Sequence, residues 1–96
     1  MSTMSRSISA ARVRRSLAVA GAPVGRILLG GVVVGGYVSY ARRHPYRNGV
    51  RPVVASRIYS HGHRIEIEAA TTSAMLGKLA PLLAHLMRAG RWPPLP

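Results

Sequence analysis

Residues 24–43 read VGRILLGGVVVGGYVSYARR, and how this stretch is taken decides the fold. Its uncharged part, Ile27 to Ala41, has fifteen residues. As a helix rising ~1.5 Å per residue it covers about 22 Å, short of a hydrocarbon core of about 30 Å. Extending it back to Ala20 supplies the missing length and places Arg26 about 9 Å inside, close enough for its guanidinium to snorkel to the headgroups. Pro23 then falls in the first turn, where its missing N–H costs least. Tyr37 and Tyr40 fall in the aromatic belt ahead of Arg42 and Arg43. On this basis the expected fold is a mainly α membrane protein, with a Gly-rich transmembrane helix over residues 20–41, a small β-hairpin and a C-terminal amphipathic helix.

The glycines support the same picture. Gly21 and Gly25, and again Gly31 and Gly35, stand one helical turn apart, the small-xxx-small spacing that lets two membrane helices approach closely. The implied partner is another transmembrane helix, from a second copy or from a subunit of a complex. A rival reading makes Gly30-Gly31 and Gly35-Gly36 the turns of a soluble β-meander. It leaves Val32 to Val34 as a central strand of three residues, short for a strand, and ranks below the helix for that reason.

Upstream, residues 1–19 carry Arg6, Arg12, Arg14, Arg15 and five serines with no acid. That composition resembles an organellar transit peptide, with a twin-arginine or secretory signal as alternatives. Downstream, residues 42–52 form a basic juxtamembrane linker broken by Pro45, Asn48-Gly49 and Pro52. Together Arg26, Tyr37, Tyr40, Arg42, Arg43, Arg47 and Arg51 make the expected set for binding anionic lipid headgroups.

Residues 53–68, VVASRIYSHGHRIEIE, alternate as a β-hairpin with His61-Gly62 at its tip. Counting outward opposes Ile58 to Ile65, Arg57 to Glu66 and Ser56 to Ile67. Residues 71–89 follow helical spacing, with a Thr/Ser cluster to cap the start, and Met75, Leu76, Leu79, Leu82, Leu83, Leu86 and Met87 on one side. Pro81 is expected to kink this helix. Residues 90–96, with Trp92, read as a frayed proline-rich tail.

The chain has 96 residues, 14 Lys+Arg against 2 Asp+Glu and a net charge of +12, so anionic partners are expected: lipid, nucleic acid or an acidic protein. Arginine surplus with abundant Ala, Gly, Val and Pro also fits a GC-rich coding sequence. With no cysteine, disulfides and thiolate chemistry are excluded. No nucleophile elbow or phosphate-binding glycine loop is present, so no enzymatic activity and no cofactor are expected. His61-Gly62-His63, with His44 or His85, lacks carboxylates at ligand spacing and is read as a polar hairpin tip, not a metal site. Glu66 and Glu68 are read as ion-pair partners of Arg57 and Arg64.

The expected function is a non-catalytic, single-pass accessory or assembly subunit of a mitochondrial inner-membrane complex. The alternatives are a small viral or bacterial membrane-active protein that self-associates, and a basic nucleic-acid-binding or ribosome-associated protein. For the last, Tyr40, Tyr46 and Tyr59 among arginines supply charge and stacking surface.

Overall fold

The computed structural model describes residues 8–95. In chain order these form α1 (Ala10–Ser16), β1 (Leu17–Ala20), β2 (Val24–Leu29), β3 (Val32–Arg43), β4 (Val50–Ile58), β5 (Ile65–Ala69) and α2 (Thr72–Arg88). The strands make one antiparallel sheet in the order β1-β2-β3-β4-β5, a simple meander.

The membrane helix expected over residues 20–41 is therefore replaced by the end of β1, β2 and most of β3. Among the described residues, no helix is long and apolar enough to cross a membrane. The mainly α fold class and the single-pass topology rested on that helix and are corrected with it, and so is the inner-membrane placement, which joined that helix to the transit-peptide-like composition of the N-terminal segment. The physical reason lies in the residue types. Each glycine costs a helix interior about 1 kcal/mol relative to alanine, and runs of valine suit a pleated strand.

Gly30 (φ +59°) and Gly31 (φ +82°) form the two-residue turn joining β2 to β3, both in the left-handed region that a tight hairpin of this sense requires. Gly35-Gly36 is not a turn. The register steps from Ile27 opposite Gly35 to Leu28 opposite Val33, leaving Val34 as the extra residue of a bulge. A Cβ on Gly35 would collide with the Arg57 carbonyl oxygen and lie 3.0 Å from Ile58 Cα, so the glycine lets β4 lie close. The central strand thus runs on for twelve residues instead of three.

Both helices lie on one face of the sheet. Val13 of α1, Ile27, Val34, Val54 and Ile58 from the strands, and Met75, Leu79 and Leu83 of α2 are buried together. Fully burying each such side chain contributes about 1.5–3 kcal/mol. Thr71 caps α2, its Oγ1 accepting from the Ala74 N–H at 3.0 Å, and Gly90 (φ +70°) follows its end. Pro81 sits within the helix on the exposed side, and the helix runs on through it.

The β4–β5 pairing opposes Ile58 to Ile65, Arg57 to Glu66 and Ser56 to Ile67, the register counted from the sequence. Trp92 is 4% exposed, packed in the core cluster beside the β4–β5 turn, so the frayed-tail expectation is corrected. Its ring centroid lies 4.6 Å from that of His61 and 5.5 Å from that of His63.

Residues 1–7, including Arg6, lie outside the described residues. From Ala10 onward the basic segment is part of the fold: Ser9 Oγ accepts from the Arg12 N–H at 3.1 Å, and Val13 and Leu17 enter the core. Cleavage after residue 19 would strip both from it. The two sheet edges differ. β1, LAVA, carries no charge, whereas β5 carries Glu66 and Glu68, and Lys78 Nζ donates to the Glu68 carbonyl oxygen at 2.8 Å.

Candidate functional site

Two features remain free of the core: a basic arm and the sheet face turned away from the helices. β2 stops pairing with β3 at Val24–Val38, and β5 stops pairing with β4 at Ala69–Val54. β3 and β4 continue as two strands alone, through the rungs Tyr40–Val53, Ala41–Pro52, Arg42–Arg51 and Arg43–Val50. That ladder projects about 14 Å at ~3.4 Å per residue. At its end the His44 N–H donates to the Gly49 carbonyl at 3.1 Å, and Gly49 (φ +97°) returns the chain. Pro45 and Asn48-Gly49, which mark a break in the sequence, here mark the tip of a hairpin.

The arm carries Arg42, Arg43, Arg47 and Arg51 with no acid of its own. Arg42 is held by Glu68 of β5 through two hydrogen bonds, at 3.0 and 2.9 Å. Its guanidinium also contacts the Tyr40 hydroxyl and lies 5.5 Å from the Tyr40 ring centroid, within cation–π range. The hydrogen bond from Arg42 holds the Glu68 carboxyl below the ordinary glutamate range, and the nearby charges of Arg42, Arg51 and Lys78 act the same way. Arg43, Arg47 and Arg51 have no carboxylate partner among the described residues. Arg42 and Arg51 stand directly opposite each other, a like-charge pairing that destabilises a ladder. Tyr46 at the tip is 97% exposed.

The open face is laid out in rungs. Arg26, Gly36, Arg57 and Glu66 follow one another across four strands, and Val24, Val38, Ala55 and Glu68 make the next row. Arg57 Nε donates to Glu66 Oε2 at 3.0 Å, and Arg64 Nε lies 3.6 Å from the same oxygen. These pairs are exposed and contribute at most about 1 kcal/mol each. A groove of about 530 Å³ opens over Gly36 and Ala55, bordered by Arg57, Tyr59, Glu66 and Glu68.

The residues expected to act together are divided. Tyr40, Arg42, Arg43, Arg47 and Arg51 gather on the arm, on β-structure and not on a linker. Arg26 lies apart, in the middle of the open face. Tyr37 is buried, its hydroxyl donating to the Gly21 carbonyl, so it cannot serve as an interfacial belt residue.

None of Gly21, Gly25, Gly31 and Gly35 is on a helix, which corrects their role in helix packing. Gly21 and Gly31 are turn residues with positive φ. Gly25 and Gly35 are strand positions where a Cβ would meet neighbouring backbone. Their spacing reflects strand and turn geometry.

His61 and His63 flank Trp92, and His63 Nε2 donates to the Arg91 carbonyl at 2.8 Å. Among the described residues no three His, Asp or Glu side chains come together as a metal site. The groove on the open face was not read from the sequence. The spacing of Gly36 and Ala55 opposite charged residues was its only trace. No protein-family model matches the chain, nor does any curated protein or solved structure with which it was compared.

Proposed function

We propose that the chain is a non-catalytic nucleic-acid-binding protein whose β3–β4 arm makes the phosphate contacts. The observation that carries this reading is the Arg42–Arg51 rung at the base of an acid-free tip. Glu68 already holds Arg42, so the charge left unmatched at this rung is that of Arg51, which has no carboxylate partner among the described residues. Arg43 and Arg47 extend the positive charge to the end of the arm. Arginine forks match phosphate oxygens bidentately, and a two-stranded ribbon is narrow enough to follow a nucleic-acid backbone or enter a major groove. Exposed Tyr46 adds a stacking surface at the tip.

Fluorescence anisotropy with labelled oligonucleotides tests the reading through its salt dependence. Replacing Arg43, Arg47 and Arg51 with Ala should weaken binding uniformly across sequences. It should also reduce the slope of log K against log salt by about 2 to 3, at ~0.7–0.9 per lost phosphate contact. Binding to anionic vesicles without binding to any oligonucleotide would overturn the reading in favour of lipid headgroups.

A second reading, assembly of copies of this chain, is favoured by one observation. Val24, Val33 and Val38 on the open face are all more than a third exposed, and Leu28, opposite Val33, extends the strip. Val24→Glu and Val38→Glu together should keep the chain monomeric by light scattering at concentrations where the parent chain associates. A parent chain that stays monomeric throughout would reject assembly.

A further inference from the structure

We propose that Asn48 is a self-modification site: the Gly49 backbone nitrogen displaces its side-chain amide, which leaves an acid at the tip of the arm and weakens its hold on phosphate. The modification stands on the tip alone, and its effect on binding rests on the nucleic-acid reading of the arm.

Asn48 is the only asparagine in the chain and glutamine is absent, so no other side-chain amide competes. The residue after it is glycine, whose backbone nitrogen can be approached with no side chain in the way. Both residues are exposed. The tip is closed through the Gly49 carbonyl oxygen, which accepts from the His44 N–H at 3.1 Å, while the Gly49 N–H has no backbone acceptor among the described residues. No backbone hydrogen bond ties residues 45–48 either, so the tip can bring the amide carbon and the nitrogen together.

Charge favours the same step. Arg47 adjoins Asn48, Arg43 and Arg51 flank the tip, and none of the three has a carboxylate partner among the described residues. Nearby cations favour the anionic form of a group, here the deprotonated Gly49 nitrogen. That nitrogen gives its proton to hydroxide and forms a bond to Asn48 Cγ. The Cγ–Nδ2 bond breaks, and with a proton from water, which restores the hydroxide, ammonia leaves. The cyclic imide then takes up one water at either carbonyl and opens to aspartate or to isoaspartate. Ammonia goes out, water comes in, and nothing is oxidised or reduced. The new carboxylate lies beside Arg47 in an arm that otherwise holds no acid. It takes one arginine out of phosphate binding by pairing with it.

The experiment incubates the full chain at mildly alkaline pH and follows its intact mass together with its binding to a labelled oligonucleotide. The mass should show ammonia replaced by water once. The slope of log K against log salt should fall by ~0.7–0.9, the share of one phosphate contact. Asn48→Asp should show that lower slope from the start. Asn48→Gln, whose longer side chain closes a ring less readily, should keep both mass and slope through the same incubation. A parent mass that stays constant overturns the modification and leaves the arm reading standing. A mass that changes while the slope does not overturns the control of binding. If the fresh chain binds no oligonucleotide, the arm reading falls and the control of binding falls with it.

Discussion

Gly35→Ala should destabilise the fold by about 3 kcal/mol, the upper part of the range for forcing an extra carbon into a packed site. In a domain of this size that lowers Tm by roughly 12 °C or more. The cause is specific. The new Cβ would run into the Arg57 carbonyl oxygen and sit 2.8 Å from Ile58 Cδ1 and 3.0 Å from Ile58 Cα. A side chain can rotate away, but the β4 backbone is held by its pairing to both β3 and β5. Gly36→Ala is the matched control: its Cβ meets only the Gly25 carbonyl oxygen, at 3.3 Å. Thermal melts of the two variants should separate clearly. Equal losses would mean that β3 and β4 do not approach at Gly35 as described.

Trp92→Ala should cost a similar amount, about 3 kcal/mol, as large aromatic truncations in cores do. Trp92 lies between the β4–β5 turn and the end of α2, and its removal takes away the ring on which His63 stacks and against which His61 lies tilted. It also loosens the segment whose Arg91 carbonyl accepts from His63. Urea unfolding followed by circular dichroism would show the loss. Trp92 is the only tryptophan, so in the parent chain its emission should shift to the red in the same transition. A Trp92→Ala midpoint equal to that of the parent would place this ring outside the core.

What the sequence made legible was local. The β4–β5 register and the capped, one-sided α2 follow from alternation, turn residues and helical spacing within short windows, and these periods survive packing. The stretch 24–43 was misread because its alternation is broken where it mattered most. The bulge at Val34 puts Val34 and Gly35 in succession on the helix side, which erases the period of two and leaves a continuous apolar run. Gly35-Gly36 then resembled a turn, although the glycine at 35 answers to a neighbouring strand that lies more than twenty residues away in sequence. The arm was hidden for a related reason. Pro45 and Asn48-Gly49 do signal a break, but whether the flanking arginines lie along a surface or on a projecting ladder depends on β3 outrunning β2, and β4 outrunning β5. Tyr40, Arg42, Arg43, Arg47 and Arg51, read together as a headgroup-binding set, lie together on the arm, while Tyr37 was drawn in by its type and belongs to the interior.

The unequal edges of the sheet limit how copies of this chain can join by strand addition. Glu66, Glu68 and the lysine reaching across from α2 make the β5 side a poor template, whereas the β1 side carries no charge and is guarded only by its shortness, four residues. A subunit with one usable edge has a valence of one. Two such edges meeting about a two-fold axis consume each other, so growth by this route ends at a pair and cannot run on into a fibre.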